Sequence, residues 1–189
     1  MLQVRGAALY ARRKWVIEHH GQAALDEVIP QLGAYGRMLM RSEIDKHAWY
    51  NYPLFIELGE VLDRRFGKGD LTLNIELGRW GAKVNTPNIF RMFIKLGSPE
   101  WVMNRAAKLW REHFSEGTVT VTHSKSEFGG VAELEIPDWP VPHLALSYAV
   151  LGFAIAAIEM SGASSVRGEL LADRSLGGDS TRLRVHYDD

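Results

Sequence analysis

The run HLALSYAVLGFAIAAIEM, from His143 to Met160, contains no Asp, Glu, Lys or Arg until Glu159. A segment this apolar either crosses a bilayer or is surrounded by protein on every side. It is slightly short for a span, which needs about 20 apolar residues. It also contains Ser147, Tyr148 and Gly152 and turns polar at both ends, so the pattern predicts a buried core helix and no membrane span. Helical spacing places Ala145, Ala149, Gly152 and Ala156 on one face, and Tyr148, Leu151, Ile155 and Ile158 on another. The first face allows close approach of a neighbour, inside the subunit or across a homodimer; the second fills space.

A buried helix needs partners, and the flanking sequence supplies alternating segments. Before it, Thr118–Thr122 and Val131–Ile136 read as strands joined by the turn Phe128–Gly130. After it, Ser165–Ala172 and Thr181–Tyr187 read as a second hairpin around Leu176–Asp179. Upstream of Gly117 the period is helical. The spacing predicts helices over Ala7–His20, stopped by Gly21, and over Leu54–Phe66, stopped by Gly67, with shorter ones over Ala23–Leu32 and Leu71–Ala82. Thr86-Pro87 and Ser98-Pro99 each pair an N-cap with a proline at the first helical position, so two capped helices should meet near Gly97. Leu9, Val16 and Ile17 belong to the core of the first helix, and Arg12, Arg13 and Lys14 to its solvated face. Tyr35–Met40 has no clear period and reads as strand or connector. The predicted class is α+β: N-terminal helices packed with an antiparallel sheet of two hairpins separated by one long buried helix.

The length of 189 residues suits a single domain, 1–189. With 22 basic and 23 acidic residues there is no overall field to gather a polyanion, which disfavours nucleic acid. The absence of cysteine removes disulfides, thiolate nucleophiles and Cys-ligated metal centres, and fits a reducing, cytoplasmic setting. The start, MLQVRGAALYARRKW, has no apolar core followed by a cleavage site, so no signal or transit peptide is expected.

Taken together, VRGAALYARRKWVIEHHG, GRWGAKVNTPNIFRMFIKLGSPEWVMNRAAKLWREHFSEG, the strands, the Pro-rich joint, the apolar helix and the final hairpin resemble an uncharacterised bacterial family described mainly from myxobacteria. That family groups with the haem-NO-binding, V4R and TRAPP-type domains. The resemblance spans the whole chain but rests on fold motifs, and it implies a ligand-binding or signalling module in place of an enzyme. Haem-NO-binding domains carry a proximal His on a helix and a Tyr-x-Ser-x-Arg motif for the haem propionates. His113 lies near the corresponding helix end, but Tyr-x-Ser-x-Arg is absent, and a His there reads as a partner of the helix dipole, so haem is disfavoured. V4R domains place Cys around the last hairpin; here Asp173–Val185 has none, which disfavours zinc, and Asp173, Asp179 and His186 read as turn and strand-end groups. No cofactor is therefore expected.

TRAPP-type relatives imply dimerisation and, in some members, an apolar tunnel. Phe90, Phe93, Trp110, Tyr148 and Phe153 are the candidate lining of such a pocket, with a filled core as the alternative. Trp139, on the stiff joint Ile136–His143, is a candidate partner anchor or a lid on the core. His113, His123, Asp138 and His143 are the scattered polar groups an enzyme would have to bring together. The resulting expectation is a cytoplasmic, non-enzymatic regulatory module binding a small apolar ligand or a partner protein, as a homodimer; the alternative is a structural adaptor with no ligand.

Overall fold

The computed structural model of the chain describes residues 1–85, 98–126 and 129–188. Helix α1 (Gly6–Val28) follows a short strand β1 (Gln3–Arg5). It bends at Gly21, where the sequence suggested a stop and whose φ of 84° is open to glycine, and resumes to Val28, taking in the first part of the helix predicted over Ala23–Leu32. A 3₁₀ turn (Ile29–Gln31) carries Pro30 in its first turn and leads to helix α2 (Ala34–Arg41), the segment without a readable period. Gly36, Leu39 and Met40 form the buried stripe of α2, too short a repeat to stand out in sequence.

Strand β2 (Trp49–Asn51) pairs antiparallel with β1 and runs directly into helix α3 (Tyr52–Phe66). Leu54, Leu58, Val61 and Leu62 are buried along α3, as its spacing predicts. The fully buried Asp63 accepts hydrogen bonds from the Leu71 and Leu73 amides at 2.9 and 3.0 Å, which turns the chain into helix α4 (Leu73–Asn85). The predicted helix at Thr86, with Phe90 and Phe93, lies outside the described residues. Ser98 then caps helix α5 (Pro99–Met103), its hydroxyl accepting from the Trp101 amide at 3.2 Å. The chain breaks at Asn104-Arg105 before helix α6 (Ala106–His113), so the predicted second stripe is shared by two short helices.

Strands β3 (Thr120–Ser126) and β4 (Gly129–Ile136) form the first hairpin; helix α7 (Leu144–Met160) intervenes; β5 (Ser164–Ala172) and β6 (Thr181–Asp188) form the second. Pairing of β4 with β6 joins both hairpins into one antiparallel sheet of order β3-β4-β6-β5. Ala132, Leu134 and Ile136 meet Val185, Leu183 and Thr181 across this seam on the buried face, while Glu133 lies opposite Arg184 on the other.

Helix α7 is apolar all round because it lies between this sheet and α4. Its small-residue face serves the interior of the chain: a Cβ on Gly152 would come within 1.9 Å of the Ile75 carbonyl oxygen, and one on Gly78 within 2.0 Å of the Ala149 carbonyl oxygen. The face considered for a dimer contact is thus occupied by α4. Arg79 Nη2, donating to both carboxylate oxygens of Glu159 at 2.6 and 2.8 Å, adds a charged clasp at the helix end. Among the described residues no helix is long and apolar enough to cross a membrane.

Candidate functional site

Where α1, α4, α6 and α7 fail to close on one another, the molecule holds a cavity of about 110 Å³ that opens to solvent. Its wall is almost wholly apolar: Phe55, Leu77, Trp110, Leu146, Val150 and Phe153 are typical. Of the predicted lining, Trp110 and Phe153 are present, Tyr148 is not on the wall, and Phe90 and Phe93 lie outside the described residues. The core between α6 and α7 is therefore not filled.

Among the described residues three polar side chains interrupt this wall: His113, Arg12 and Asn85. Asn85 is engaged, donating from Nδ2 to the Ala7 carbonyl at 3.1 Å. His113 ends α6 on the same stripe as Ala106, Leu109 and Trp110. Phe114, the next residue, bridges to Val4 of β1 and packs on Trp110 at 4.6 Å between ring centres, so the helix end is pinned on both sides of the imidazole. Nδ1 of His113 lies 2.9 Å from the Leu109 carbonyl oxygen. A carbonyl only accepts, so Nδ1 carries the proton and the lone pair of the neutral ring resides on Nε2. Burial holds the imidazole pKa below its ordinary value, partly opposed by the hydrogen bond to Leu109. The result is a neutral, oriented imidazole on the wall of an apolar cavity, the arrangement of a metal-ligating histidine with its second nitrogen tied to a backbone carbonyl.

Arg12 overturns its assignment to a solvated face: it is 4% exposed. Its position three residues after Leu9 and four before Val16 puts it on the core stripe, where the guanidinium lies 3.5 Å over the Phe55 ring. Nη2 donates to Asn74 Oδ1 at a long 3.3 Å, and Nε is buried without an acceptor. Burial pulls its pKa down to about 9, with the Tyr52 hydroxyl acting the other way. Ile17, expected in the core, is instead 37% exposed.

Trp139 is no surface anchor. It is 1% exposed, packs edge-on against Tyr52, Trp110 and Phe114, and donates from Nε1 to the Tyr52 hydroxyl at 3.2 Å. Three prolines direct it inward, where it closes the core behind α6; a Cβ at Gly117 would meet its ring at 2.6 Å. The scattered polar groups stay apart: of His113, His123, Asp138 and His143 only His113 is on the cavity wall. Asp138 accepts from the Thr118 hydroxyl at 3.1 Å, and His143 caps α7 while pairing with Glu60 at 3.2 Å. Asp173 accepts from the Ser175 amide at 2.7 Å and His186 faces Glu169 at 3.4 Å. Among the described residues no three His, Cys, Asp or Glu side chains gather around a common metal position.

No protein-family model matches the chain, and no curated protein is similar to it in sequence. Solved structures do match across almost its full length. An H-NOX protein from S. oneidensis, crystallised in the Fe(II)NO ligation state, superposes with a TM-score of 0.71 at 9% identity, covering 98% of this chain and 99% of that one. A structure described by haem redox potential modulated through protein-induced porphyrin distortion gives 0.65 at 11% identity, covering 98% and 99%. An oxygen-binding H-NOX domain related to soluble guanylate cyclases gives 0.64 at 12% identity, covering 97% and 94%. The fold is thus that of H-NOX, the haem-NO and oxygen-binding architecture: N-terminal helices, a four-stranded antiparallel sheet and one helix between its hairpins.

These findings correct the expectation that haem is disfavoured. That expectation rested on the missing Tyr-x-Ser-x-Arg and on reading His113 as a dipole partner. The haem-binding proteins matched share this fold throughout, and His113 stands on the cavity wall with its Nε2 lone pair uncommitted.

Proposed function

We propose that the chain is a non-enzymatic sensor module whose cavity holds a small apolar ligand, and that haem, which His113 would hold, is the occupant its lining suits best. The observation that carries this reading is His113: neutral, fixed through Nδ1 by the Leu109 carbonyl, and on an apolar wall. Haem when bound would supply an iron centre able to take a diatomic gas. The chain's own residues orient the imidazole, keep it unprotonated by burial and exclude water through Leu146, Val150 and Phe153. Trp110, Phe114 and Trp139 brace the helix end that carries it. The ligation states of the matched H-NOX proteins, nitric oxide in one and oxygen in another, support gas sensing as the class of signal.

Optical titration of the purified chain with haemin tests this. The expected result is saturation at one haemin per chain, with a Soret band that shifts in His113→Ala. No saturable uptake, or a spectrum indifferent to His113→Ala, contradicts the reading.

A further inference from the structure

We propose that Arg12 is the anion-recognition point of the cavity, so that the ligand it selects is an apolar carboxylic acid whose carboxylate lies against the Arg12 guanidinium. The inference rests on the cavity being a ligand site but not on iron or on His113.

A guanidinium has five N–H donors in a planar fork that matches a carboxylate. Here that fork is buried on the cavity wall and holds one long bond, Nη2 to Asn74 Oδ1 at 3.3 Å. Nε is buried with no acceptor, and no ion pair is formed by Arg12 among the described residues. The Phe55 ring, 3.5 Å from the guanidinium carbon, offers its π-face but no acceptor atom in the plane of the fork. The Tyr52 hydroxyl keeps its proton, burial raising its pKa far above the ordinary value. A buried cation without a counter-charge is costly to the fold, and the cost is offset where a ligand brings the missing negative charge. The surrounding wall is mostly hydrocarbon, so a small inorganic anion would meet the cation and leave the apolar wall unfilled, whereas an apolar acid satisfies both surfaces. This Arg stands on the first helix, so it supplies an anion partner in a chain whose sequence lacks Tyr-x-Ser-x-Arg.

The test compares metal-free protoporphyrin IX with its dimethyl ester by fluorescence, which reads carboxylate recognition without an iron–histidine bond. The wild type should bind the free acid about ten- to a hundredfold more tightly than the ester, the worth of a charge-assisted hydrogen bond. Arg12→Leu should bring that ratio close to one, and Arg12→Lys should retain part of it. A ratio that survives Arg12→Leu, or a wild type indifferent to esterification, overturns the proposal. If neither porphyrin binds, the haem reading fails by itself, and dodecanoate against methyl dodecanoate decides: an acid preference lost in Arg12→Leu supports Arg12 as the anion site, and its absence overturns it. Should Arg12→Leu not fold, Arg12→Gln, which is shorter but offers a neutral N–H donor without the charge, takes its place with the same expected loss of preference.

Discussion

At the residue scale, the two polar groups that define the cavity both hide on apolar stripes. His113 follows Leu109 by four positions and Trp110 by three, and Arg12 stands between Leu9 and Val16 at the same intervals. The signal was in the sequence, but a charged run such as Arg12-Arg13-Lys14 is ordinarily solvated, and lone buried arginines are rare. Burial at these two positions gives pH dependence with a definite sign. The His113 pKa is depressed below the ordinary 6.5, with Glu112 and Arg5 acting on it in opposite directions. The unfolded chain therefore binds more protons than the folded one as pH falls through about 6.5, and stability is lost on acidification. His123 shifts in the same direction, so the wild type alone does not isolate His113. Urea melts at pH 8 and pH 5.5 should show a smaller acid loss in His113→Leu than in the wild type; an equal loss in both would contradict a buried neutral imidazole.

At the element scale, the close approach of α4 and α7 makes two glycines obligatory. A Cβ at Gly152 meets a backbone carbonyl, which cannot rotate away, so Gly152→Ala should destabilise by about 1–3 kcal/mol through overpacking. Chemical denaturation measures it, and an unchanged midpoint would mean the helices do not touch there. Gly81 is the opposite case: among the described residues a Cβ there meets nothing within 4 Å, and it borders the cavity. Gly81→Leu should leave the fold intact, since glycine costs a helix about 1 kcal/mol, while filling the cavity and reducing haemin uptake. Normal uptake by this variant would place the ligand elsewhere. Long elements were readable from sequence because their repeats run for several turns or pairs: α3, α7 and all four strands of the large sheet. The three-residue strands β1 and β2 have no room for a repeat, whereas the limb of α1 beyond Gly21 was legible as a separate short helix, with Leu25 and Val28 buried.

At the scale of the whole molecule, the sheet supplies one wall for α7 and the helices supply the other, and the cavity is the space their packing leaves open. The joint between sheet and α7 closes one end with Trp139, which Arg174 holds by bonds to the Pro137 and Trp139 carbonyls at 3.1 and 3.3 Å. Trp139→Ala should cost about 3–5 kcal/mol as a large core truncation, read as a lowered unfolding midpoint. A midpoint close to the wild type would return Trp139 to the surface role that its prolines first suggested. The architecture could be read from the order of helical and alternating segments, but the cavity could not, because aromatic and methionine residues pack a full core and line an empty one in the same pattern.

If His113 presents Nε2 to the occupant of the cavity, free imidazole should stand in for its missing side chain. His113→Gly, reconstituted with haemin and reduced, should show an altered spectrum that returns to that of the wild type when free imidazole is added. A His113→Gly spectrum identical to the wild type, or one that imidazole leaves unchanged, would contradict the account.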